Sequence, residues 1–295
     1  MMNLKLISKY FSIALVSLLI ISCSDDDDVV VDNTVTPPST YKFERSGATS
    51  VSYGGQSTRL KMAKVLYNGM KDNTSTKAGL DAMFAGSGFA DATLNGTGKQ
   101  IASKTFASSV ASSTVKPIFD GWINDFTTNV IPNWSTTASN GTAGKLTDAG
   151  GGRTVYVNAK GHELTQLFTK GLIGGMAADQ ILNGYLSTAK LDGGTNIADN
   201  NAGTVVEGKS YTNMEHYWDE GFGYLYGLEP NAEIPAFGGS ADVLLNKYLG
   251  KSQFAEEQKL IYDAFIMGRA AIVAKNYTVR AVSYTHLRAH ETTHD

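Results

Sequence analysis

Apolar residues recur at three- and four-residue steps along most of the chain, the spacing that gathers them on one face of an α-helix. Leu60, Ala63, Leu66, Tyr67 and Met70 form the first stripe. Ile118, Trp122 and Phe126, flanked by Phe119 and Ile123, form the second. A third runs through Leu164, Leu167, Phe168 and Leu172 and continues after Asp179 with Ile181, Leu182 and Tyr185. Met214, Trp218, Phe222 and Leu225 make a fourth. A fifth, Ile261, Phe265, Gly268 and Ile272, is preceded by Ser252 as an N-cap and by Glu256 and Glu257 in the early turns. Residues 154–157 alternate briefly like a strand, but the segment stands alone. The pattern predicts an all-α fold. Its helices are separated by Gly-, Ser- and Thr-rich connections over 133–153 and 190–210, lengths at which loops carry function or mobility. The first of these is expected to separate two helical halves, 41–150 and 151–281, of the folded region 41–281.

Both ends depart from this pattern. Lys5 and Lys9 precede a short apolar run from Phe11 to Ile21, and Ile20-Ile21-Ser22-Cys23 reads as a lipobox. The expectation is a lipoprotein signal peptide over 1–22, removed to leave a lipidated Cys23 as the first residue. Four aspartates, Asp25 to Asp28, follow directly. They resemble the acidic signal that carries some Gram-negative lipoproteins to the outer face of the outer membrane; a plain solvated spacer is the alternative. Residues 23–40, with Pro37 and Pro38, predict a flexible tether. The expected place is therefore the outer membrane at the cell surface, with a periplasm-facing protein as the alternative.

At the other end, His290-Glu291-Thr292-Thr293-His294 fits H-E-x-x-H, a zinc-peptidase motif when it lies on a helix. Yet residues 282–292 are, letter for letter, one reading frame of a transposase adapter used in sequencing libraries. No third ligand follows, and no apolar periodicity marks a helix there. Residues 282–295 are thus expected to be a non-native tail, with the natural chain cut off near Ala281.

Setting aside Lys5, Lys9 and Arg288 from the 25 basic residues, and Glu291 and Asp295 from the 28 acidic ones, leaves 22 and 26. That excess equals the four tether aspartates, so the folded part is near neutral and nothing in it suggests nucleic acid as a partner. With Cys23 the single cysteine, stability rests on packing rather than disulfides. Gly98-Lys99 and Gly144-Lys145 lack the spacing and the following Ser or Thr of a phosphate-binding loop.

Two segments carry candidate chemistry. In the first, Glu163 and Gln166 stand three residues apart, on one face of the expected helix, with His162 one position around. In the second, His216, Asp219 and Glu220 are spaced to let an imidazole and carboxylates face one point beside Trp218. Helical bundles build metal sites from such groups on facing helices, which makes Glu163, His216, Asp219 and Glu220 metal candidates. The competing structural reading pairs these carboxylates with Arg269 or Lys170 inside the bundle.

Gly161, Glu163, Gln166, Lys170-Gly171-Leu172, Asp179-Gln180, Tyr217-Trp218-Asp219-Glu220 and Gly268-Arg269-Ala270-Ala271 together resemble an uncharacterised lipoprotein family related to the imelysins, over about Tyr41 to Ala281. The resemblance implies an all-helical, imelysin-like fold and an association with iron uptake at the envelope. Where imelysins carry G-x-H-x-x-E, this chain keeps Gly161 but has Glu163 and Gln166 at the histidine and glutamate places. What is implied is a ligand pocket formed from Glu163, Gln166, His216, Trp218, Asp219, Glu220 and Arg269, with iron, haem or another divalent metal as cofactor or cargo. A TonB-dependent-type transporter is the implied partner. A metal-dependent hydrolase or peptidase and a structural or adhesive envelope protein are the other two readings.

Overall fold

The computed structural model describes residues 34–105, 112–237 and 241–292. The expected signal peptide, Cys23, the aspartate run and His294 lie outside these residues.

The five stripes each become a helix because burying one apolar face is the dominant favourable term. The chain enters through β1 (Glu44–Arg45) and β2 (Ala48–Thr49), an antiparallel pair. They are joined by Ser46 and Gly47 at φ 53° and 79°, the geometry of a tight hairpin turn. Then come α1 (Gly54–Gly69), α2 (Lys77–Phe84) and α3 (Ser112–Asp125). A second hairpin, β3 (Gly144–Thr147) with β4 (Thr154–Val157), precedes α4 (Leu164–Leu172). The short α5 (Thr188–Leu191) and α6 (Asn196–Ala202) lead to α7 (Asn213–Tyr226). Last come α8 (Leu245–Leu249), α9 (Ala255–Val273) and α10 (Tyr277–Thr292). The fold is all-α apart from the two hairpins. None of the described helices is long and apolar enough to cross a membrane.

One continuous core joins residues from Tyr41 to Leu287, drawing on helices from both sides of residue 150. Helix α7 lies at its centre, with Met214, Trp218, Phe222 and Tyr226 fully buried. Small residues allow the close approaches. A Cβ on Gly268 would overlap the Trp218 indole, and one on Gly223 would overlap Tyr53. The indole nitrogen, which must find a partner once buried, donates to the Phe265 carbonyl at 2.9 Å.

Several expectations are corrected. Strand 154–157 does not stand alone: it pairs with Gly144–Thr147, a segment whose polar outer face hides its period in a residue count. In α3 and the turn that follows it the inward face is Phe119, Ile123 and Phe126, while Ile118 is 49% exposed. Ser252 opens a single 3-10 turn, and α9 proper begins at Ala255. The connection over 190–210 contains α6, held by Asn200, whose amide donates to the Ile272 carbonyl at 2.8 Å. Residues 282–292 are helical. Their inward face, with Arg280, is Ser283, Tyr284 and Leu287, so half of it is polar and an apolar count misses it.

After α4 the helix continues through two wide π-turns, Ile173–Ala178 and Gln180–Tyr185. Each π-turn shifts the register, which accounts for the interruption of the third stripe before Asp179. The glycines there face large rings, Gly171 against Trp122 and Gly175 against Phe119.

Candidate functional site

The sequence candidates fall into three separate places. Glu163 is the residue just before α4 rather than part of it, and Gln166 is in the first turn. Both border a small hollow of about 110 Å³ with Lys71, Trp134 and Tyr156. Glu163 is paired at 2.8 Å with the exposed Arg153. His162 is exposed, as is Lys170.

The second place is a buried ion network where α7, α9 and the N-terminal hairpin meet. Thr212 and Glu215 form a reciprocal capping box that starts α7. One turn on, Asp219 is fully buried and accepts three hydrogen bonds. They come from Tyr41 Oη at 2.7 Å, Arg269 Nε at 3.0 Å and the Ser52 backbone N–H at 3.0 Å. Arg269 also donates to Glu215 at 3.0 Å and to Ser50 Oγ at 3.1 Å, and its guanidinium lies over the Phe43 ring. Arg45 closes the network with two bonds to Glu215, at 2.7 and 3.0 Å. Two cations face two carboxylates, with the remaining donors and acceptors met by backbone, Ser50 and Tyr41.

Burial pushes the Asp219 carboxyl up to about 6, against the pull of Arg269, Tyr41 and Ser52. Burial also acts to raise Glu215, but Arg269, Arg45 and the Thr212 N–H outweigh it and hold the carboxyl below its usual range. Both carboxylates are buried, and each is engaged by a cation. It is the pairing with Arg269 that the structural reading expected.

The third place is a cleft of about 540 Å³ between α5, α7, the second π-turn and the 3-10 turn Ala102–Lys104. Glu220 and Tyr217 of α7 line one wall; Lys104, Tyr185, Ser187 and Lys190 line the others. Lys104 Nζ donates to Tyr185 Oη at 2.9 Å, and Lys190 Nζ lies 4.2 Å from the Tyr217 ring centre. Behind the cleft, Gln56 is fully buried, donates to Glu220 at 2.9 Å and leaves its own Oε1 without a partner. Burial and the neighbouring Arg59 bring the Lys104 ammonium below its ordinary range, while Glu220 acts the other way. Burial, then Glu220, raises the Tyr185 phenol. The size suits a small-molecule site.

His216 is not among the residues that line this cleft. Its Nδ1–H donates to the Ser52 carbonyl at 3.0 Å, its ring stacks on Tyr211, and Nε2 stays 3.9 Å from Glu220. Glu163, His216, Asp219 and Glu220 therefore do not converge as the metal set the sequence suggested. Among the described residues no three His, Cys, Asp or Glu side chains are placed to hold a metal ion.

Gln56, Lys104, Tyr185 and Lys190 were missed by sequence reasoning. One signal was there to find Lys104: between Asp91 and Asp120 it has no carboxylate within ten residues on either side. Lysines without local partners need explaining once a fold half-buries one.

Fold and site define an all-α protein with a polar cleft beside a sealed ion network. The chain belongs to the family described as "Domain of unknown function (DUF4856)", whose profile matches residues 38–290 and so runs past Ala281. Neither the curated proteins nor the solved structures include a match to it.

Proposed function

We propose that the chain is a cell-envelope lipoprotein that captures a small ligand in the cleft formed by Lys104, Tyr185, Lys190, Tyr217 and Glu220. The observation that carries this reading is the convergence of charged and phenolic groups on an open cavity of about 540 Å³, backed by a buried Gln56 with an unpartnered acceptor. The imelysin resemblance and the lipobox at Cys23 support placement at the outer membrane, with iron or haem acquisition as the process and a TonB-dependent-type transporter as the partner. With no three metal-ligating side chains converging among the described residues, the suitable form of iron is one that brings its own ligands, a chelate or a haem.

The test is binding of haem and of a ferric chelate to the purified protein, compared with Ala189→Trp. Ala189 is exposed and lines the cleft, so the indole fills the cavity without entering the core. Binding that Ala189→Trp abolishes supports the reading. Failure of both iron forms to bind removes the iron assignment, and binding that Ala189→Trp leaves intact removes the cleft. Placement has its own check: Cys23→Ser is expected to move the protein from the membrane fraction to the soluble one.

A further inference from the structure

Among the described residues, two lysines and one carboxylate line the cleft. Lys104 finds no carboxylate at ion-pair distance among the described residues, and its ammonium donates to a neutral phenol instead. Lys190, on the opposite wall, rests against the Tyr217 ring. Behind them the buried Arg59 donates to the carbonyls of Gln100 and Gly55 rather than to a carboxylate. Among the described residues Glu220 is the single carboxylate lining the cleft, and it already accepts from Gln56. A half-buried ammonium without a counter-ion raises the free energy of the empty cleft, and an incoming anion lowers it.

We propose that the cleft binds a small organic oxyanion, a carboxylate or phosphate that also carries a hydroxyl or ammonium group. The oxyanion sits between Lys104 and Lys190, which supply charge-assisted donors. The hydroxyl or ammonium group faces Glu220, whose charge would repel a bare anion and attracts a donor. This deepens the proposed capture function and rests on the same cleft.

The experiment is calorimetric titration of the whole purified protein with metal-free citrate, glycerol 3-phosphate and inorganic phosphate. Citrate or glycerol 3-phosphate is expected to saturate below about 10 mM. Lys104→Met is expected to weaken that binding at least about tenfold, the worth of a charge-assisted hydrogen bond. Glu220→Gln is expected to weaken the hydroxyl-bearing probes and spare inorganic phosphate. The preference between the first two probes identifies carboxylate or phosphate.

No saturation by any probe overturns the proposal, as does unchanged binding in both Lys104→Met and Lys190→Met. If Lys104→Met fails to fold, the exposed Lys190→Met decides alone. Iron-chelate binding that Ala189→Trp blocks but neither lysine variant alters refutes the oxyanion site and leaves the capture reading standing. Oxyanion binding without iron-chelate binding does the reverse to the iron assignment.

Discussion

Asp219 and Glu220 are neighbours on one helix and live in opposite environments. Asp219 is sealed from solvent, meets Arg269, Tyr41 and Ser52, and belongs to a network whose charges balance. Glu220 faces an open cleft with Lys104 and Lys190 and with more positive charge than it can match. Adjacent residues on a helix point about 100° apart, so one turn of α7 serves a closed purpose and an open one. The difference teaches where to look for function. Charges that satisfy one another hold elements together, whereas charges left over beside a cavity mark a site awaiting a ligand.

The sharpest way to break the comparison is Arg269→Leu. It leaves Asp219 and Glu215 buried with one cation between them, and a loss of about 3–5 kcal/mol is expected in urea unfolding. A loss under about 1 kcal/mol would show that the network relaxes or admits water, and the sealed description would fall. Gly268→Ala comes next. Its methyl group overlaps Trp218, so the helices must separate, and about 1–3 kcal/mol should be lost.

Asp219→Asn tests the electrostatics by sign. A buried acid raised to about 6 holds its proton more tightly in the folded state than in the unfolded one. Its contribution to stability is therefore present below the ordinary aspartate range and is lost as pH rises through about 6. The stability of the wild type relative to Asp219→Asn should decline between those limits. A relative stability that rises there instead would mean that Arg269 dominates burial.

On the open side, Lys104→Met should change stability by no more than about 1 kcal/mol, because the ammonium has no counter-ion to abandon. A large loss would make Lys104 structural and dissolve the contrast. The smallest effect is expected at Arg153→Ala. This exposed partner of Glu163 contributes at most about 1 kcal/mol, and a thermal melt within a few degrees of wild type is the check.

The helices were legible in the sequence where a stripe is apolar throughout, as in α1, α4 and α7. They were obscured where the inward face mixes Arg280 and Ser283 with Leu287, or where a π-turn shifts the register before Asp179. The Tyr217-Trp218-Asp219-Glu220 run stood out in the sequence. Its residues then divided: Trp218 and Asp219 went to core and network, and Glu220 to the cleft. Glu163 and His216 had the right chemistry for a shared site, but each is engaged elsewhere, with Arg153 and with the Ser52 carbonyl.

By itself, then, the sequence determined the all-α class, the main apolar stripes and the residue types available for charge, because periodicity and composition are local properties of a chain. Tertiary structure alone decided which charges meet. Tyr41, Ser52, Asp219 and Arg269 come from segments as far apart as 228 residues in the chain, and Lys104 reaches Tyr185 across 81. No local pattern encodes such meetings, since burial and Coulomb interaction depend on distance in space and not on separation along the chain.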